Sequence, residues 1–285
     1  MTPLMTEPPL ARELEDLEID LLLEGIRRRY GYDLGDYDRS YIRERVRVRL
    51  REEGVGTPSQ LLDRVLRRPA SLSALVDPGD PSGNSLFRPA RVWRTLRERA
   101  LPLLRTYPSV RAWVAGSAPD GDLLSTLMLF EEGLSRPYTI YATQLGGGSE
   151  REARFGTLGP GAFRGLPRRF RASGGRRDPR DFFRTDASQT RLLPELQQRV
   201  SFASHNVATD ASFNEFQLIL IRGSVSHFGP RLRDRSFRLL DKSLIRLGFL
   251  VLGPGESPDQ GPCGGAYRPV LRSAGLFQKM SDGPE

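Results

Sequence analysis

Two histidines, His205 and His227, one cysteine, Cys263, and a surplus of arginine bound the chemistry open to this chain. So few imidazoles and thiols cannot assemble a His- or Cys-based metal cluster, and no metal is expected. A single cysteine forms no intramolecular disulfide, which fits a reducing cytoplasmic compartment. His227 follows the aliphatic run FQLILIRG (216–223), where site residues gather if that run is a strand of an α/β sheet. It reads either as a polar site contact or as a loop histidine without a role. His205 reads as a hydrogen-bonding turn residue. The triplet Gly146-Gly147-Gly148 has the glycines of a phosphate cradle but not the Lys-Ser/Thr of a P-loop, so a turn is its default reading.

The charge itself points to partners. Among 285 residues there are 43 Lys+Arg against 35 Asp+Glu, a net charge of +8, and Lys242 and Lys279 are the only lysines. Such a surplus favours anionic partners and says nothing about fold. Between Arg39 and Arg51 there are six arginines and one acid, Glu44. At about 100° per helical residue, Arg43, Arg47 and Arg51 flank an Ile42/Val46/Leu50 stripe on one side, and Arg45 and Arg49 on the other. Two readings follow: a docking surface for an acidic helical segment, or a solvated face snorkelling around a buried stripe. A second cluster, Arg164 to Arg184, holds eight arginines interleaved with Phe163, Phe170, Phe182 and Phe183. Basic residues with aromatics can bind single strands. No RRM, KH or helix-turn-helix signature accompanies them, so nucleic acid is not the expected partner and a charged insertion is preferred.

The elements that would position these residues follow from periodicity. With 38% hydrophobic and 27% charged residues the composition is that of a soluble globular chain. No stretch approaches the roughly 20 apolar residues of a spanning helix, and the first residues carry acids and prolines in place of a signal peptide's basic head. Membrane insertion and export are therefore not expected. Apolar stripes at Leu17/Leu21/Leu22/Ile26, Ile42/Val46/Leu50 and Leu61/Leu62/Val65/Leu66 predict a small helical bundle over residues 1–80. The Pro/Gly/Asp/Ser-rich stretch that follows predicts a linker, taken as 81–90. Beyond it, WVAG, YTIYATQ (138–144), VSFASHN (200–206), FQLILIRG and GFLVLG (248–253) read as short buried strands. They alternate with helical stretches at 122–134 and 230–246. Such alternation predicts a parallel α/β sheet over 91–257. Residues 145–199 interrupt it as an inserted basic subdomain, too long for a loop. Residues 258–285 read as a Pro/Gly-rich tail, in part disordered.

The order of these segments resembles the CheR-type chemotaxis receptor methyltransferases, from about residue 17 to 257. YDRSYIRERVRVRLREEG followed by TPSQLLDRVL is similar to the family's helical domain. SLFRP (85–89) matches its Thr-x-Phe-Phe-Arg run, and WVAGSAPDGD its first strand and glycine-rich loop. IYATQL, VSFASHNV, FQLILIRGSVSHF and GFLVLGPGES follow in the family's order. The resemblance implies a helical N-terminal domain and a Rossmann-like S-adenosylmethionine-binding domain with a small inserted β-subdomain. It also implies methyl transfer to glutamate side chains on the cytoplasmic helices of chemoreceptors.

By the same resemblance the cofactor contacts fall at Asn84, Arg88, Asp122, Gln144, Asn206, Val207 and Gly223, with Ser82 and His205 beside them. His227 stands where the family has a tyrosine near the transferred methyl, and is the candidate catalytic residue. The arginines Arg43, Arg45, Arg47, Arg49 and Arg51 become the candidate surface for an acidic helix of a chemoreceptor. Several positions depart from the family. Gln144 replaces the acid that binds the ribose hydroxyls, Gln217 replaces the Asp of a Phe-Asp pair, and Asp120-Gly121 replace Gly-Glu in the first loop. A carboxylate makes charge-assisted bonds about twice as strong as a neutral amide's. These departures leave two expectations side by side: a methyltransferase with weakened cofactor binding, and a non-catalytic pseudo-methyltransferase that serves as a binding or regulatory module.

Overall fold

The computed structural model describes residues 9–68, 71, 72, 75, 86–115, 120–144, 155–159, 161, 163–186, 189–205 and 215–284. They fall into two units, Met1–Pro78 and Gly79–Glu285.

The first unit holds three helices, α1 (Pro9–Tyr30), α2 (Arg39–Glu53) and α3 (Pro58–Arg67). Local chemistry sets their ends. The Asp38 carboxylate accepts from the amides of Ser40 (2.9 Å) and Tyr41 (3.0 Å) to cap α2, and Gly54, at φ 64°, terminates it in the left-handed conformation. Thr57 caps α3 with Pro58 in its first turn. Ile19, Leu22 and Ile26 of α1 bury against Ile42 and Val46 of α2 and Leu61 and Val65 of α3. The buried stripe of α1 thus runs 19-22-26. Leu17 and Leu21, expected in it, lie on the opposite side of the helix and are exposed with Leu14. Gly25 permits the close approach of α1 to α3, since a Cβ there would stand 2.5 Å from Leu62 Cδ1.

The second unit begins with α4 (Ala90–Thr95), which continues through a wider π turn at Leu96–Ala100 into α5 (Leu101–Leu104). The order is then β1 (Val110–Val114), α6 (Asp120–Gly133) and β2 (Tyr138–Gln144). An insertion follows, made of β3 (Thr157–Leu158), α7 (Leu166–Ala172), β4 (Phe183–Thr185) and β5 (Thr190–Leu192). After α8 (Pro194–Gln197) come β6 (Val200–Ser204), β7 (Phe216–Ile221), α9 (Pro230–Ser243), β8 (Leu244–Leu252), β9 (Tyr267–Leu271) and β10 (Leu276–Lys279). Seven strands form one sheet in the order β6-β2-β1-β7-β8-β10-β9. The first five are parallel, while β10 and β9 return antiparallel. Every residue of β7 is buried, as continuous aliphatic runs in two-sided parallel sheets require. The Rossmann-like α/β architecture expected from the alternating pattern is the one observed.

Chain order reverses between β1 and β7. In open α/β sheets the crevice at such a switch point, outside the carboxyl ends of the strands, is where ligands bind.

The insertion forms its own antiparallel sheet, β3-β5-β4. Its phenylalanines are core residues: Phe170 and Phe182 are fully buried and Phe183 nearly so, in edge-on contact with Phe87, Phe170 and Phe163 respectively. They offer no stacking platform for bases.

Residues 258–285 are not a disordered tail. Pro258–Gln260 and Gly264–Ala266 form short 3-10 turns, and β9 and β10 complete the sheet. Leu276 and Phe277 bury against the main core, and Lys279, 2% exposed, bonds to the carbonyls of Asp241 (2.7 Å) and Leu244 (3.0 Å). Pro269 sits on the edge strand, where a missing amide costs no ladder bond. Its presence disguised the strand.

Candidate active site at the carboxyl ends of the parallel strands

Three segments meet at the switch point. The first is the turn Leu86–Pro89, which enters α4. Phe87 is buried there at φ 55°, a left-handed conformation that a bulky residue holds only when its surroundings impose it. They do so through its amide, which donates to Ser125 Oγ of α6 (2.8 Å), and through its ring, packed edge-on against Trp93 and Phe170. Arg88, next in the chain, is exposed.

The second segment is the first turn of α6. Asp122 is 2% exposed, and its carboxylate pairs with the guanidinium of Arg222. Burial pushes the Asp122 carboxyl up to about 6, although Arg222 pulls it the other way.

The third segment leaves β7. Arg222 also donates to the Arg88 carbonyl (2.9 Å), tying the exit of β7 to the 86–89 turn. Gly223 follows at φ 76°, a conformation that favours glycine, and an added Cβ would meet only open space. His227 is half-buried in the 3-10 turn Val225–His227. Glu256, 3% exposed, holds this loop: Oε1 accepts from Ser226 N (2.8 Å), and Oε2 from Gly223 N (3.3 Å) and Gly253 N (2.5 Å). Sequence reading missed Glu256. The signal lay in the GPGES turn, whose acid stands just past a buried strand.

The structure brings Arg88, Asp122 and Gly223 together at the switch point, with His227 farther along the loop that Gly223 begins. Gln144 is the last residue of β2, level with Ser204 of β6, and so also ends at the crevice side of the sheet. Asn84, Asn206 and Val207 lie outside the described residues, as does Ser82. His205 follows β6, buried, with its ring edge-on to Trp113 at 5.2 Å. Gln217 is displaced from the site. It is the second residue of β7, and its side-chain carbonyl accepts from Arg111 N (2.7 Å), the second residue of β1, at the opposite end of the sheet. It therefore carries no information about the crevice.

The arginines of α2 are not a free cationic surface. Arg43 pairs with Asp16 and Glu15 of α1, and Arg47 with Glu15 (3.0 Å). Arg39 pairs with Asp20 (2.6 Å). Arg45 donates to the Leu75 carbonyl (3.3 Å), Arg49 pairs with Glu52 and Glu53, and Arg51 reaches Glu44 at 3.8 Å. Acids more than twenty residues upstream on α1 neutralise much of the run that looked unbalanced when α2 was read alone.

The donor set fits an adenosine-bearing sulfonium cofactor in part. Parallel strand ends, a left-handed glycine and an exposed arginine are present, while the acid of the first loop is already spent on Arg222.

Two family models match the chain: the CheR methyltransferase all-alpha domain over residues 17–77, and the CheR methyltransferase SAM-binding domain over residues 84–262. The chain is 33% identical over 265 residues to Cher3 of Pseudomonas putida, named as a methyltransferase, covering 93% of this chain and 97% of that one. It is 23% identical over 248 residues to a chemotaxis protein methyltransferase of Listeria monocytogenes, covering 85% and 92%. Among solved structures, the glycopeptide N-methyltransferase MtfA complexed with sinefungin matches with a TM-score of 0.31 at 16% identity, over 55% of this chain and 48% of that one. A S-adenosylmethionine-dependent methyltransferase from Clostridium acetobutylicum matches with a TM-score of 0.30 at 11% identity, over 57% and 49%. The solved chains are thus spanned for only about half their length, and the assignment rests on the sequence matches. With a helical unit followed by a parallel-stranded unit in the order of those two models, the chain belongs to the CheR methyltransferase family.

Proposed function

We propose that the protein binds S-adenosylmethionine at the carboxyl ends of β1, β2 and β7 and directs its methyl group to a glutamate side chain of a chemoreceptor in a chemosensory pathway. The observation that carries this reading is the convergence of Arg88, Asp122, Arg222 and Gly223 at the switch point within a CheR-family domain.

The cofactor supplies an electrophilic methyl group on a sulfonium sulfur. A glutamate carboxylate is already a nucleophile at neutral pH, so no base, metal or triad is required of the chain. What it must supply is alignment and exclusion of water. The Arg222–Asp122 pair fixes the exit of β7 against α6. Glu256 fixes the loop that begins at Gly223 and carries His227, which offers a polar contact near the reacting groups. Gln144, at the end of β2, provides a neutral amide toward the ribose hydroxyls.

One observation favours a second reading, a non-catalytic binding module: Asp122, the acid that would face the cofactor, is consumed within the chain. Calorimetric titration with S-adenosylmethionine and S-adenosylhomocysteine separates the two. Binding of either, with labelled methyl incorporated into a receptor cytoplasmic fragment, supports methyl transfer. Silence up to millimolar ligand removes it and leaves the module. An acidic receptor segment that docks on α2 has to displace Glu15 and Asp16 from Arg43 and Arg47.

A further inference from the structure

Arg169, on α7 of the inserted subdomain, reaches out of its own small sheet to the turn that carries Arg88. Its Nε donates to the Leu86 carbonyl (3.1 Å) and its Nη1 to the Arg164 carbonyl (3.3 Å). Nη2 is buried from solvent and has no hydrogen-bond partner. The other arginines of comparable burial in this unit are treated differently: Arg97 has Glu132 at 2.6 Å, and Arg222 has Asp122. Among the described residues no carboxylate pairs with Arg169 or with Arg88, and the nearest acid along the turn, Asp122, is committed to Arg222.

The two cations also feel each other. Desolvation first, and then the charge of Arg88, push the Arg169 guanidinium below its ordinary range. A partly buried guanidinium with an idle donor beside a like charge is costly to maintain. That cost recurs next to Phe87, held in a left-handed conformation. A bound anion would offset both terms, and two guanidinium forks are suited to the two oxygens of one carboxylate.

We propose that Arg88 and Arg169 together form a carboxylate-binding site, through which the inserted subdomain takes part in holding a reactant; this rests on the methyl-transfer reading given above. Both reactants of that reaction bear a carboxylate, the amino-acid end of the methyl donor and the accepting glutamate. The shared chemistry is what the two arginines recognise.

The test uses the full chain, with Arg169→Gln and the charge-conserving Arg169→Lys. S-Adenosylhomocysteine is titrated beside methylthioadenosine, the same nucleoside without the amino-acid carboxylate. If the site takes the donor's carboxylate, Arg169→Gln weakens S-adenosylhomocysteine by about tenfold, the effect of one charged hydrogen bond, and leaves methylthioadenosine unchanged. If it takes the acceptor's, both affinities stay constant and the KM for a glutamate-bearing receptor fragment rises by about the same factor. Arg169→Lys retains most of the affinity in either case. Equal weakening of both nucleosides, or no change in any of the three measurements, overturns the proposal.

Two measurements need no cofactor. Arg88→Gln should raise the Tm of the free protein at low salt, the gain vanishing near about 1 M salt as repulsion is screened. Millimolar glutarate should raise the Tm of the wild type and not that of Arg169→Gln. A wild type that answers to glutarate but to neither nucleoside keeps the carboxylate site and refutes the methyl-donor reading. One that answers to none of the three refutes the site.

Discussion

Arg222 and Asp122, one hundred residues apart, face each other across the switch point, one at the exit of β7 and the other in the first turn of α6. The pair makes a buried acid part of the frame of the crevice. Its electrostatics can be measured without any ligand.

Burial raises the Asp122 carboxyl from its ordinary 3.8 to about 6. Between those two values the folded chain holds this proton more tightly than the unfolded chain does. The stability the group contributes is therefore full below the lower value, and is lost as pH rises through the higher one. Asp122→Asn cannot titrate, so the wild-type stability minus that of the variant should fall by up to about 3 kcal/mol between pH 4 and pH 6 and stay level above pH 7. Denaturant unfolding of both proteins across that range reads the difference. A difference that is flat or rises with pH contradicts the assignment.

Glu256 offers both carboxylate oxygens to three amides, a task an amide side chain cannot repeat. In Glu256→Gln the NH2 group must point at a backbone N–H, either that of Ser226 or those of Gly223 and Gly253. The loss should be about 1–3 kcal/mol, read as a lowered Tm. Because the loop it anchors begins at Gly223 and carries His227, affinity for S-adenosylhomocysteine should fall with it. An unchanged Tm would show that the three bonds do not hold the loop.

Reversal of the α2 arginines has a different expected outcome from the one the sequence suggested. Arg43→Glu with Arg47→Glu sets new carboxylates against Glu15 and Asp16, and should lower the Tm of the helical unit before any partner is added. Restoring opposite charge with Glu15→Arg and Asp16→Arg should recover part of the loss. Arg51→Glu should leave the Tm unchanged, since Arg51 and Glu44 are both well exposed at 3.8 Å. Equal effects of the three single reversals would contradict this division.

The fold was legible wherever burial leaves a local signature. FQLILI and YTIYATQ read as strands because both faces of an internal parallel strand are covered and the residues need not alternate. Strand β10 was missed because its LFQK mixes apolar and polar residues, and its lysine is satisfied only by carbonyls from Asp241 and Leu244, more than thirty positions upstream. The site was legible as a place, since strand ends and a switch point follow from topology. Its contacts were not. The Arg222–Asp122 pair, the reach of Arg169 to Leu86 and the neutralisation of Arg43 by α1 are all long-range, and no spacing rule encodes them. Gln217 shows the converse error. A residue-type departure was assigned to the crevice when its register places it at the other end of the sheet.

Gln144 is the departure that register leaves at the crevice side. If the end of β2 faces the ribose of a bound nucleoside, Gln144→Asp should tighten S-adenosylhomocysteine by roughly five- to tenfold, the gap between a neutral and a charge-assisted hydrogen bond. Methylthioadenosine, which keeps the ribose, should gain by the same factor. The cost to folding should be small, because the residue closes a strand and does not lie within it. Gain for neither nucleoside would place the ribose elsewhere, and gain for only the amino-acid-bearing one would mean that the new carboxylate acts at the other end of the ligand.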